Sequence, residues 1–229
     1  DKRAYIADEH LFYRLTGRGE PVLLVHGFCG DGSVWGQWGE QLATNYQVII
    51  PDLPGYGQSP YSAAAESMEG YAETLLALLD CLQVDKVHYV GHSMGGYIGM
   101  AFAEQYPERL SSFTLFHSHA FADDSEKQKS REKMMGFVRR NGAAALIYAL
   151  YETLFLPEWR KANAEQAKQW VNYTQQFADE TILANLMAMQ RRPDRSSVLK
   201  TLKVPVNFVI GRHDESVPYA LSLRQSHLP

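Results

Sequence analysis

The sequence predicts an α/β fold: a mostly parallel central sheet flanked by helices, with a helical insertion. Three observations predict it. Short apolar runs rich in β-formers alternate with stretches of helical apolar spacing, the pattern of strands joined by crossover helices. The apolar runs of the first half end in loops rich in glycine or proline, or in a tight turn. The alternation breaks after Phe116 and resumes near Val204, so a helical segment interrupts one sheet.

The elements follow in order. Ala4 to Leu15 reads as two short strands around Asp8-Glu9, closed by the turn Gly17-Arg18-Gly19. Pro21-Val22-Leu23-Leu24-Val25 is a buried-type strand ending in the loop His26-Gly27-Phe28-Cys29-Gly30. Tyr46-Gln47-Val48-Ile49-Ile50 is another, ending in the loop Pro51 to Ser59. Between Ser67 and Leu82, residues Tyr71, Leu75, Leu78, Leu79 and Leu82 keep helical spacing. Val87-His88-Tyr89-Val90 is a third buried-type strand, and a helix spans Met94 to Gln105. Tyr106-Pro107 closes that helix, because a residue before proline avoids the α region. Leu110 to Phe116 is the fourth strand of this type. Helical stretches then run near 125–140, 143–155, 163–176 and 179–190, before the strand pattern returns at Val204 to Ile210. Residues 1–119 and 201–229 are therefore read as two parts of one core, and 120–200 as an insertion. Tyr219 to His227 closes the chain as a helix or its end.

Composition narrows the function classes. The chain has 229 residues, 45% of them hydrophobic, enough to bury a large core without disulfides or metals. Its formal charge of −4 speaks against a nucleic-acid partner, which calls for a basic face. Cys29 and Cys81 are too few for a disulfide framework or a zinc site, and read as free thiols in a reducing compartment. No apolar run approaches the ~18 residues of a membrane span. No signal peptide is visible, so a cytoplasmic location is expected, with secretion left open. Asn172-Tyr173-Thr174 matches a glycosylation sequon, a triplet common by chance. Neither composition nor motifs speak to oligomeric state.

Gly91-His92-Ser93-Met94-Gly95 fits G-x-S-x-G, with a strand before it and a helix after it. In that context Ser93 sits on a sharp, strained turn. Glycines two residues away let strand and helix approach, and Gly96 adds clearance. The serine then stands at the carboxyl end of the sheet, where open α/β folds bind ligands.

With this elbow in place, residues 21–118 and 204–218 resemble the α/β-hydrolase superfamily, especially its small serine esterase-like members with a helical cap. The segments that carry the resemblance are His26-Gly27-Phe28, Asp52 to Ser59, Gly91 to Gly96, and Gly211-Arg212-His213-Asp214-Glu215-Ser216-Val217-Pro218. They occur in the family's order. The resemblance implies an acyl-transferring serine hydrolase with Ser93 as nucleophile and no cofactor or metal. It places the oxyanion donors at the backbone N–H groups of Phe28 and Met94 and makes residues 120–200 the cap. His26 looks like a brace for its loop, with Gly27 allowing close approach. Cys29, His92, His117 and His119 are candidate pocket residues, with His117 or His119 also open as a substitute base.

The resemblance places the orienting acid at Asp214, with Glu215 as fallback. It expects the base in a Gly-His loop after a further strand. The chain stops at Pro229 without one, so a last strand, the histidine loop and a helix are expected beyond it. The substrate class is a small-molecule carboxylic ester or related acyl compound. Alternatives on the same fold are a carbon–carbon hydrolase, lactonase or perhydrolase, or a weakly catalytic small-molecule receptor. Arg191 and Arg192 close the insertion and read as solvated surface or as a carboxylate site. Phe137, Tyr148, Tyr151, Phe155, Trp170, Met187 and Met189 read mainly as packing within the cap.

Overall fold

Apolar residues at every position, not every second one, mark strands covered on both faces. Pro21–Val25 (β3) and Gln47–Pro51 (β4) are of this kind, each half-buried at its first residue and fully buried after it. The period of two then divides them between two layers. Leu23, Val25 and Ile49 join one apolar cluster, whereas Val22, Leu24, Val48 and Ile50 join a second with Trp35. In this computed structural model residues 2–6, 9–174, 176–214 and 216–229 are described. The fallback acid Glu215 and the expected turn at Asp8 lie outside them.

The strands form one seven-stranded sheet. Lys2–Ile6 (β1) and Glu9–Thr16 (β2) make an antiparallel pair, and β2 runs antiparallel to β4. Val87–His92 (β5), Leu110–Phe116 (β6) and Val206–Val209 (β7) complete the order β1-β2-β4-β3-β5-β6-β7, with all neighbours from β4 onward parallel. The sheet is thus mostly parallel, as the sequence predicts. The register has a functional consequence. Val25 pairs with Gly91, Gly91 with Leu115, and Phe116 with Val209. The loops that follow β3, β5, β6 and β7 therefore open along one edge of the sheet.

Helices Met68–Cys81 (α2) and Met94–Gln105 (α3) pack on the first layer, and Gly36–Leu42 (α1) lies against β4. Gly99 lets α3 sit close, since a Cβ there would lie 2.5 Å from the Tyr89 ring. Between β6 and β7 run Ser125–Asn141 (α4), Ala143–Leu154 (α5), Pro157–Ala162 (α6), Ala164–Thr174 (α7), Asp179–Arg191 (α8) and Ser196–Thr201 (α9). Tyr219–Gln225 (α10) follows β7. Asp124 caps α4 by accepting the Lys127 N–H at 2.8 Å, and Arg139 and Arg140 complement its carboxyl end.

Helices α1, α6 and α9 are absent from the sequence reading, because none spans two full turns and so none builds a readable apolar period. A second difference concerns Arg192. It is 5% exposed, ion-paired to Asp123 at 2.7 Å, and stacked 3.8 Å over the Tyr97 ring, so it is a core cation and not solvated surface. Arg191 is exposed. Among the cap aromatics, Tyr148 is 62% exposed and so lies mostly in solvent. Among the described residues no helix is long and apolar enough to cross a membrane.

Candidate active site

The site is built from the β5–α3 junction upward. Ser93 has φ 51° and ψ −115°, a conformation that costs an ordinary L-residue free energy. The surroundings hold it there. Its N–H donates to Phe116 O at 2.9 Å, which ties it to β6. Its carbonyl accepts the N–H of Gly96 at 2.9 Å and the hydroxyl of Ser118 at 2.7 Å. The turn is tight enough to demand glycine on both sides. A Cβ at Gly91 would meet Gly95 O at 2.4 Å, and one at Gly95 would meet Val25 O at 2.4 Å. At Gly96 a Cβ would meet Ser118 Oγ at 2.3 Å. Met94 opens α3, so its N–H has no intrahelical acceptor and points out at the positive end of the helix dipole.

The loop after β3 lies against this turn. A Cβ at Gly27 would sit 3.0 Å from His92 Nδ1 and 3.1 Å from Ser93 Cβ. Phe28 is half-buried beside it, and Cys29 is buried with φ 57°. Burial drives the Cys29 thiol well above its ordinary pKa, so it stays a thiol and not a nucleophilic thiolate. His26 is wholly buried under the loop. Its Nδ1 lies 3.0 Å from Gly27 O, and its Nε2 lies 2.9 Å from Leu53 N. A carbonyl only accepts and an amide N–H only donates, so the proton sits on Nδ1 and the ring is neutral. Burial pushes its pKa down to about 4. His26 thus ties the β3 loop to the β4 loop, with both ring nitrogens occupied.

Asp214 and His117 meet across the β6–β7 edge. His117 Nδ1 donates to Asp214 Oδ2 at 2.6 Å, and Asp214 Oδ1 accepts the N–H groups of Ser216 and Val217, each at 2.9 Å. Burial alone would raise the Asp214 carboxyl. The His117 hydrogen bond and the two amides outweigh it and hold the pKa below the ordinary value. Gly211 makes room, since a Cβ there would lie 2.5 Å from His117 Cε1. Among the described residues no hydrogen bond joins the Ser93 hydroxyl to a histidine. Ser93 and Asp214 are therefore on the same edge of the sheet, with no hydrogen-bonded chain joining them among the described residues.

The other histidines have separate places. His92 lies between Trp35, Phe116 and His117, at ring distances of 6.4, 5.8 and 6.3 Å. Burial, with His117 and His26 nearby, lowers its pKa to about 4. His119 is buried, its Nε2 3.3 Å from Tyr97 Oη and its Nδ1 accepting the Phe121 N–H at 3.2 Å. Burial and the Arg192 charge push it down to about 3. Among the described residues no three His, Cys, Asp or Glu side chains are grouped to hold a metal ion.

Helices α7 and α8 reach the loops at this same edge. Tyr56, in the loop after β4, donates its hydroxyl to Asn185 Oδ1 of α8 at 3.1 Å and packs edge-on against Phe177 at 4.9 Å. Tyr173 of α7 donates to Asp31 Oδ2. Sequence reasoning assigned no role to Tyr56, Tyr173 or Asn185, although Tyr56 lies within the Asp52 to Ser59 segment. The one available signal for Tyr56 is its place between Gly55 and Gly57, both at positive φ.

Comparison with known proteins agrees with this geometry. A family model described as alpha/beta hydrolase fold matches residues 20–227. The chain is 30% identical over 223 residues to a putative carbamate hydrolase RutD from Azorhizobium caulinodans, covering 96% of this chain and 83% of that protein. A thermophilic esterase from Thermogutta terrifontis superposes with a TM-score of 0.92 at 28% identity, over 100% of this chain and 86% of that one. An enol-lactonase from Burkholderia xenovorans LB400 shares the fold with a TM-score of 0.91 at 22% identity, over 99% and 87% of the two chains. The chain belongs to the alpha/beta hydrolase fold family.

Proposed function

We propose that this protein is a serine hydrolase acting on a small carboxylic ester or related acyl substrate. The observation that carries the reading is the strained serine at φ 51°, wedged between glycines that a single methyl group would disrupt. Such strain clusters at functional sites, because a structure tolerates it only where the surroundings enforce it.

The Ser93 hydroxyl oxygen attacks the substrate carbonyl carbon. The hydroxyl proton passes to a histidine base, and the carbonyl electron pair moves to oxygen. The N–H groups of Phe28 and Met94 receive that oxyanion. Collapse of the intermediate expels the alcohol, which takes the proton from the histidine. Water then repeats the attack on the acyl-enzyme and releases the acid. Asp214 holds the base in the required tautomer. The base in this reading is the histidine expected after a further strand. A second reading makes His117 the base, and its 2.6 Å bond to Asp214 favours it.

The inserted helices act as a cap over the carboxyl edge in this reading. The relatives' names, an esterase and a putative carbamate hydrolase, fit the same first step, since both chemistries start by attack on an acyl carbon. The test is turnover of short-chain p-nitrophenyl esters with fluorophosphonate labelling of the full protein. Ser93→Ala is expected to abolish labelling and to lower kcat by on the order of 10⁶. Equal turnover by the wild type and Ser93→Ala would overturn the assignment. His117→Gln separates the two bases: a loss as large as that of Ser93→Ala selects His117, and near-full activity selects the other histidine.

A further inference from the structure

We propose that Tyr56, Asn185 and Tyr173 are positioning residues that hold the oxyanion hole in shape from helices α7 and α8. The inference rests on the reading of Phe28 N–H as an oxyanion donor. It starts from how little the loop after β3 has of its own to fix that donor. The loop has no regular structure between Val25 and Gly32, and its residue Cys29 sits at φ 57°. On the far side of Phe28 the Gly32 N–H bonds to Asp52 Oδ1 at 2.9 Å, and two further points pin the loop. A tyrosine hydroxyl takes part in each of these two pins.

The first pin is Tyr56. It is fully buried, its ring edge-on to His26 at 5.3 Å. Its hydroxyl oxygen accepts the Cys29 N–H, the residue next to Phe28, at 3.5 Å. The same hydroxyl spends its one proton on Asn185 Oδ1 of α8 at 3.1 Å. Asn185 is itself fully buried and fixed, because its Nδ2 donates to Tyr71 Oη at 2.9 Å. Tyr71 in turn donates to Pro54 O at 3.1 Å, two residues before Tyr56. The orientation of the Tyr56 hydroxyl is therefore set from α8.

The second pin is Asp31, whose side chain is nearly inaccessible to water. One carboxylate oxygen accepts the Ser33 N–H at 2.7 Å, and the other accepts the Tyr173 hydroxyl of α7. A buried carboxylate needs such donors, so moving α7 away leaves Asp31 under-bonded. Phe177, between α7 and α8, touches both tyrosines, at 4.9 Å to Tyr56 and 6.1 Å to Tyr173. Both pins are thus anchored on the inserted helices, and α8 is itself fixed in the core through Ile182, Leu186 and Met189. The Phe28 amide is in this way braced from α7 and α8.

The experiment uses Tyr56→Phe, Tyr173→Phe and the double variant of the full protein, each removing only a hydroxyl. Matched esters and thionoesters are compared, because a C=S sulfur draws much less on oxyanion donors than a C=O oxygen. Each single variant is expected to lower kcat for the ester about tenfold with KM within twofold. The double variant is expected to approach the ~10²-fold loss of one oxyanion donor. The ester-to-thionoester rate ratio falls in step. Tyr173 is 39% exposed, so Tyr173→Phe keeps the test valid if Tyr56→Phe fails to fold. An unchanged ratio with Ser93 still required overturns this inference alone. Turnover that does not need Ser93 overturns both it and the hydrolase reading.

Discussion

His26 gives the fold an acid-sensitive joint, and its strength can be worked from the hydrogen bonds. Nε2 accepts from Leu53 N–H at 2.9 Å, so a proton arriving on Nε2 must expel that bond inside a site with no water contact. The folded pKa is accordingly lowered from 6.5 to about 4. In the unfolded chain the same ring titrates near 6.5. A lowered folded pKa means that the stabilisation is complete above 6.5 and is lost as pH falls towards 4. Proton uptake between pH 7.5 and 4.5 then costs on the order of a few kcal/mol of stability from this one side chain. The perturbation is His26→Ala, followed by urea unfolding of both proteins across that pH range. At pH 7.5 the variant is less stable, since Leu53 N–H loses its acceptor and a cavity opens. The gap is expected to narrow by on the order of a few kcal/mol on going to pH 4.5, because only the wild type has a histidine to protonate here. A gap that stays constant with pH would refute the assignment of a neutral, doubly bonded ring.

Three further outcomes follow from the same geometry. Ser93→Gly relieves the positive φ and is expected to raise stability by about 1 kcal/mol in thermal or urea unfolding while abolishing turnover. A loss of stability would mean that the turn is not strained. Gly95→Ala places a Cβ 2.4 Å from Val25 O and 2.6 Å from His26 O, both backbone atoms that cannot turn aside. It is expected to cost about 2–3 kcal/mol, and fluorophosphonate labelling should fall with it, because the strand–helix junction must open. In the proposed mechanism Asp214→Asn removes the charge that fixes the base, and kcat is expected to fall by about 10⁴ at unchanged fold. Circular dichroism and ester turnover together check it, and activity within tenfold of the wild type would remove Asp214 from the machinery.

What the sequence made legible is what depends on local rules. The strands β3 and β4 could be read because residues covered on both faces must be apolar without interruption, whereas β5 and β6 interleave buried apolar residues with half-buried ones and are read from their β-forming residues. The elbow could be read because a strand-to-helix turn this tight excludes side chains at Gly91 and Gly95, which leaves a mark in the sequence itself. Helices α1, α6 and α9 left no such mark, being too short to repeat a period. Arg192 misled for a different reason. A cation at the end of an amphipathic helix looks solvated until Asp123, 69 positions earlier in the chain, is found beside it.

The pairing of His117 with Asp214 shows where local reading stops. The sequence put His117 after the strand ending at Phe116 and Asp214 after the strand near Ile210, but did not choose between His117 and His119 as a possible partner for the acid. The sheet register joins His117 and Asp214: Phe116 pairs with Val209, so each residue lies just beyond the end of an adjacent parallel strand. Parallel strands cannot be neighbours through a short turn, and here an insertion of more than eighty residues lies between them. No periodicity in that insertion encodes which strands it returns to. The same holds for Tyr56 and Asn185, whose hydrogen bond spans 129 positions. Ser93, the proposed nucleophile, is specified by its neighbours in sequence and is legible there. The groups that bond Asp214 or brace the loop around Phe28 are specified by neighbours in the sheet and across the inserted helices, so they emerge only once the chain is folded.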